Sequence, residues 1–362
     1  MLDKNHGHKS SYSTLLRRLK SYGLNRIQKA EEDDEGFLRT AHNRIEEIVN
    51  GPVSCGGYRT CWHTLEMEGI RVPRTFVQFA LKEIDPYGCE QRKKHRLSRR
   101  VYKNDGPNYA WHIDGYDKLK PWGFPIHGAI DGFSRKVIWL NVTRSNNSPN
   151  NIASFYISTV QTYGGCPVEL VNDLGTENGL AASMQCFFQN NTDAHRYVPS
   201  PRNQRIESWW SHFSKSRSSW WREYFSNLES HNIYDPTLDI HKAALWFCFS
   251  NILQSDLDFV KEHWNSHLIR KSRFDTISGR PDVIFELPEN YGAADCLKSV
   301  QRNDIQTARQ SIIRECETDD YQEYFRYVID NYAVEMPENL EDAINLYKML
   351  LDVSEECAHP AV

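Results

Sequence analysis

Between residues 109 and 225 the hydrophobic period changes several times, and the order of those changes restricts the fold more than any other feature. "YAWHIDGY" (109–116), "FPIHGAIDG" (124–132) and "KVIWLNV" (136–142) alternate and are rich in aromatic and β-branched residues, as strands are. "GFSR" (132–135) joins the second and third as a tight hairpin turn. The period then becomes helical. "SPNNIASFYISTVQTYGG" offers Ser148 as N-cap, Pro149 at the first position and Gly164 past the end. "CPVELVND" reads as a fourth strand, "ENGLAASMQCFFQ" as a helix and "AHRYV" as a short fifth strand. "RIESWWSHFSKSRSSWWREYF" reads as one long helix. Three strands in a meander, then two reached through helices, predict a mixed five-stranded sheet with helices on both faces.

Three acids fall at informative places in that order. Asp114 lies in the first strand, Asp173 just after the fourth, and Glu207 in the first turn of the long helix. A glutamate there is ordinary on its own, because it faces the positive end of the helix dipole. The blocks around the three acids change that reading. "WHIDGYDKL", "AIDGFSRKVIWL", "LVNDLGTENG" and "SPRNQRIESWWSHF" resemble, in order and spacing, the four blocks of the integrase catalytic core. That core is shared by retroviruses, retrotransposons and DDE transposases and has a ribonuclease-H-like fold. The resemblance covers about residues 57–285, and the whole chain resembles a eukaryotic, transposon-derived integrase-core protein. Two departures stand out. The His2Cys2 zinc domain of retroviral integrases is missing, since His6, His8, Cys55 and Cys61 lack paired spacing. "DLG" replaces the common "DNG" after the second acid.

The resemblance implies a DDE-type polynucleotidyl transferase that nicks DNA and transfers strands with a water or 3′-OH nucleophile. Phosphodiester transfer builds negative charge at the phosphate, and two metal ions about 3.5–4 Å apart can stabilise both the attacking and the leaving oxygen. Mg²⁺ or Mn²⁺ is implied, two ions with DNA bound, because hard cations take oxygen ligands. By the resemblance Asp114 bridges the ions, Asp173 completes one site and Glu207 the other. The rival reading is a domesticated, catalytically silent DNA-binding or adaptor protein that keeps the fold; a third is an RNase-H-type nuclease on RNA–DNA hybrids. The remaining polar residues of the core are read as structural. Asp117 ends its strand or lies in a loop, Asp131 bonds its own turn, Glu177 opens a helix, and His112 and His127 are packed. Trp209, Trp210, Trp220 and Trp221 are read mostly as core.

The flanks differ in charge. Residues 1–105 hold 20 Lys and Arg against 14 Asp and Glu, whereas residues 286–362 hold 6 against 17. "SYSTLLRRLKSYGL" (10–23) reads as an amphipathic helix and Phe37 to Val49 as a second. "GGYRTCWHTLEMEGIRVPRTFVQFALKEIDP" (56–86) reads as two helices across a glycine turn, a helix-turn-helix that resembles the one preceding insertion-sequence transposase cores. Arg71, Arg74 and Gln78 are then DNA contacts at the start of its second helix. "QRKKHRLSRRVYK" (91–103), with Arg92, Lys93 and Lys94, is a basic linker that tracks a phosphate backbone or serves as a nuclear localisation patch. Around Glu207, Arg202, Asn203 and Gln204 face the metal groove, with Lys215 and Arg217 as phosphate contacts further along the helix. The segments "DIHKAALWFCFSNIL" and "DLDFVKEHWNSHLIRKS" read as two helices extending the core.

The expected organisation is a helical DNA-binding region with the basic linker (1–104), the catalytic core (105–230), a helical extension (231–285) and an acidic helical appendage (286–362). The last avoids DNA and binds a protein partner. A homo-oligomer is expected. The polar N-terminus is no signal peptide, no window approaches 18 apolar residues, and nine scattered cysteines without C-x-x-C fit a reducing compartment. The expectation is a soluble intracellular protein, nuclear if eukaryotic, without a membrane partner.

Overall fold

The computed structural model describes residues 11–22, 35–51, 56–91, 104–199, 203–271, 277–313 and 319–358. The chain opens on helix α1 (Tyr12–Ser21), capped by Ser11, whose hydroxyl accepts from the Thr14 amide at 3.2 Å. Helices α2 (Glu35–Asn50), α3 (Tyr58–Met67) and α4 (Arg74–Ile84) bury one apolar cluster that includes Ile45, Leu65, Val77 and Leu81. Gly69, at φ +82°, makes the left-handed turn between α3 and α4 that a side chain would oppose. A short helix α5 (Pro86–Gln91) follows, and the basic linker with Arg92, Lys93 and Lys94 lies outside the described residues.

Strands β1 (Ala110–Tyr116), β2 (Ile126–Asp131) and β3 (Val137–Val142) form the expected antiparallel meander. The Asp131 carboxylate accepts from the amides of Asn108, Phe133 and Ser134 and from the Ser134 hydroxyl, so it is the turn residue anticipated from its place. Helix α6 (Pro149–Tyr163) ends at Gly164, φ +69°. Here the strand expected over 166–173 divides. β4 (Gly165–Cys166) leaves the main sheet, and Pro167, which has no amide hydrogen to donate, precedes the true sheet strand β5 (Glu169–Asn172). Helix α7 (Gly179–Gln189) leads to β6 (His195–Tyr197). The sheet order is β3-β2-β1-β5-β6, with β5 parallel to β1 and β6 parallel to β5.

The long helix expected from residue 205 is not continuous. Helix α8 (Gln204–Phe213) passes through a π-helical turn (Ser214–Ser218) into α9 (Ser219–Ser230). Conversely, the two helices expected after residue 239 are one, α10 (Asp239–Ser266), since no Gly or Pro interrupts them. Alternation along β1 separates two cores. Trp111 and Ile113 face α6 and α7, whereas Tyr116 faces α8, α9 and α10.

The acidic C-terminal region is not an appendage. After helix α11 (Pro281–Glu286), strand β7 (Lys298–Ser299) pairs with β4. Helix α12 (Arg302–Gln310) buries Ile305 and Ala308 in the α6 core. Helices α13 (Asp320–Tyr332) and α14 (Leu340–Ala358) bury Phe325, Ile329, Leu346, Tyr347 and Leu350 in the α10 core. Their apolar stripes need a partner to be stable in water, and α10, apolar on several sides, supplies it. The N-terminal bundle docks on the same helix: His63 Nε2 lies 3.0 Å from Ser266 Oγ, and the His263 ring lies 4.3 Å from that of His63.

Candidate active site

Parallel pairing of β1 with β5 brings two of the three acids together. Ala110 pairs with Glu169, Trp111 with Leu170 and His112 with Val171, an offset of 59 residues. Asp114 and Asp173 are separated by that same offset. Continuing the register two residues therefore sets them level, at the carboxyl ends of adjacent strands where α/β sheets build their sites.

Asn203 brings up the third acid. It caps α8, and its buried side chain donates from Nδ2 to the Ile113 carbonyl at 3.0 Å while Oδ1 lies 2.7 Å from His112 Nδ1. These bonds pin the start of α8 to the middle of β1, one turn before Glu207. One turn further on, the Trp210 indole N–H donates to Asp114 Oδ2 at 3.0 Å. Trp210 reaches it by crossing β2 at Gly128, the register partner of Asp114. A Cβ on Gly128 would sit 2.9 Å from the Trp210 ring, so only glycine leaves room.

Asp114, Asp173 and Glu207 line one cleft of about 610 Å³. Asp117, Lys118, Asn146, Glu177, Ser214 and Lys215 also line it. Burial, with the nearby carboxylates of Asp173 and Glu207, pushes the Asp114 carboxyl up to about 8. Asp117 accepts from Asn146 Nδ2 at 2.7 Å and lies 3.5 Å from Lys120. Burial holds His112 down at about 4 and His127 at about 3, so both are neutral packing groups at neutral pH.

Among the described residues, no three His, Cys, Asp or Glu side chains are close enough to form a finished metal cage. The donor set nevertheless fits a hard divalent cation. It is all oxygen, and its central carboxyl is kept protonated by burial and by two like charges, which a cation would offset.

The other expected contacts separate into groups. Lys215 lines the cleft, and half-buried Gln204 is at the start of α8, outside the cleft lining. Asn203 is buried and holds α8 to β1, which corrects its reading as a groove contact. Arg217 is likewise corrected. It is 8% exposed, pairs with Asp256 and lies over the Phe259 ring, because the π turn directs it inward. Arg202 lies outside the described residues. Arg71, Arg74 and Gln78 belong to the N-terminal bundle, away from the cleft lining, with the exposed Arg74 guanidinium stacked 3.9 Å over Trp62. Sequence reasoning missed Trp210, Asn146 and Lys118 as parts of the site. The glycine inside "PIHGAID" was the available signal for Trp210, since a mid-strand glycine marks a close approach.

The sheet order, the flanking helices and the acids at the strand ends define an α/β core of the ribonuclease-H-like class. Residues 101–279 match the family model described as an integrase core domain, which supports an integrase-type catalytic core in this part of the chain. Integrase core domains generally bind DNA. Among curated proteins no match to the chain is found. Among the described residues, no helix is long and apolar enough to cross a membrane.

Proposed function

We propose that the protein is a DDE-type polynucleotidyl transferase acting on DNA, with Asp114, Asp173 and Glu207 as its metal-binding carboxylates. The observation that carries this reading is that Asp114, Asp173 and Glu207 line one cleft, with Asp114 and Asp173 level in the β1–β5 register. Divalent Mg²⁺ or Mn²⁺ held by these side chains supplies charge neutralisation and Lewis-acid polarisation of a phosphodiester. Asp114 holds the centre of the site from a rigid strand, and the Trp210 indole fixes one of its oxygens. Asp173 and Glu207 flank it from the end of β5 and the first turn of α8. Lys215 contacts a DNA phosphate from the cleft wall. Arg71, Arg74 and Gln78 bind duplex DNA from the α3–α4 unit, and the basic stretch with Arg92, Lys93 and Lys94 tracks the backbone between that unit and the core.

The test is cleavage and strand transfer on labelled DNA ends with Mg²⁺ or Mn²⁺, comparing the wild type with Asp114→Asn. Metal-dependent products from the wild type and none from the variant support the reading. Equal behaviour of the two refutes it in favour of a silent DNA-binding protein.

A further inference from the structure

The cleft is dominated by acid: Asp114, Asp117, Asp173, Glu177 and Glu207 all line it. A DNA strand brings one negative charge per nucleotide into that field. Cations held by the carboxylates can serve the reacting phosphate, but its neighbours need fixed positive charge. Among the described residues, only two that line the cleft are cationic, Lys118 and Lys215, and both are exposed.

From this arrangement, and resting on the function proposed above, we infer that Lys118, anchored by Ser214 and joined by Lys215, forms a subsite for a non-reacting phosphodiester of the DNA strand. Lys118 is a positioning residue there, not a catalytic one. Its neighbours explain why it is available. In "DKLK" (117–120) Asp117 closes the loop with Lys120 at 3.5 Å and is bonded by Asn146, so Asp117 is occupied. Among the described residues Lys118 pairs with no carboxylate. Its Nζ instead donates to Ser214 Oγ at 3.4 Å, across the gap between the loop after β1 and the π turn. Lys215 likewise pairs with none.

The wall that carries Ser214 and Lys215 is rigid. Tyr116 OH bonds Ser218 Oγ, and Asp256 takes hydrogen bonds from both Arg217 and the Trp221 indole. The π turn thus buries Arg217 and Ser218 while leaving Ser214 and Lys215 on the cleft side. Single π turns inside helices recur at functional sites because they change which residues share a face. A neutral hydroxyl partner holds the ammonium in place without discharging it, which suits a site awaiting a phosphate.

The experiment is a salt titration of binding to a fluorescein-labelled duplex, read by anisotropy with Ca²⁺ present so that binding is separated from turnover. Full-length wild type, Lys118→Gln, Lys118→Arg and Ser214→Ala are compared, each checked by thermal melting. Loss of one phosphate contact makes the slope of log K against log salt shallower by about 0.9 for Lys118→Gln. Affinity then falls about fivefold, as for one exposed charged hydrogen bond. Lys118→Arg restores the slope. Ser214→Ala keeps the slope and weakens binding less. In turnover assays the Lys118→Gln loss falls more on KM than on kcat. A Lys118→Gln slope and affinity equal to wild type overturn the subsite. Failure of the functional reading is separate: it shows as equal cleavage by wild type and Asp114→Asn, while the salt slope still reports on Lys118.

Discussion

Replacing Asp114 by Asn should stabilise the metal-free protein at pH 8 while abolishing turnover, and the size of the effect follows from the cleft. An unfolded aspartate loses its proton near pH 3.8, whereas Asp114 in the fold keeps it to about 8. Between those values the native state binds a proton that the unfolded chain has released. Stability therefore falls as pH rises through that window and levels off above it. Each tenfold change in proton affinity is worth about 1.4 kcal/mol, which sets a ceiling of roughly 5 kcal/mol at pH 8. Partial exposure to the cleft screens this to about half. At roughly 2–4 °C per kcal/mol, the variant should melt at least about 5 °C above wild type at pH 8 in EDTA. The two should coincide near pH 4. Asn is nearly isosteric and still accepts from the Trp210 indole, so packing contributes little. Adding Mn²⁺ should raise the wild-type Tm and leave the variant's unchanged, since ligands stabilise only the state that binds them. The assay is differential scanning fluorimetry from pH 4 to pH 9. A difference in Tm that does not grow with pH would show that neither burial nor the neighbouring carboxylates hold the Asp114 proton in the fold.

Three further outcomes test the supports of the site. Gly128→Ala places a methyl about 2.9 Å from the Trp210 ring, so it should cost about 1–3 kcal/mol in urea unfolding and reduce turnover without changing DNA affinity. Arg217→Ala leaves Asp256 buried beside the Trp221 indole without its cation; it should cost about 3–5 kcal/mol and leave the salt slope of DNA binding intact. His112 and His127 stay neutral in the fold to about 4 and about 3, while unfolded histidine protonates near 6.5. Their contribution is full above pH 6.5 and falls as acid is added, by about 2 kcal/mol each at pH 5, and His127→Gln should remove roughly half of that loss in acid unfolding followed by tryptophan fluorescence.

The sheet and the placing of the acids were legible because they rest on local periodicity and strand order. The offset of 59 between Asp114 and Asp173 is the β1–β5 register itself. Departures arose where a residue answers to a distant partner. Pro167 ends one pairing and β7, far along the chain, takes up the other, which no local pattern discloses. The π turn at Ser214–Ser218 follows from Tyr116 and Asp256 pulling on Ser218 and Arg217. Asn203 and Arg217 read as groove residues because their chemistry suits DNA, yet the same chemistry suits a buried carbonyl and a buried carboxylate. Lys118 escaped notice because a lysine after a strand carries no signal until Ser214 is opposite it.

The docking of α13 and α14 on α10 bears on the order in which the protein can be completed during synthesis. Phe325, Leu346, Tyr347 and Leu350 cover the helix that backs β2 and β3, and these residues leave the ribosome after every candidate catalytic residue has been made. Until then Phe247 of α10, which packs on Phe325, faces water. A fragment stopped at residue 279, where the family match ends, would hold all three carboxylates and still present that uncovered face. Such a fragment should aggregate or recruit chaperones, whereas a chain carried through α14 should not.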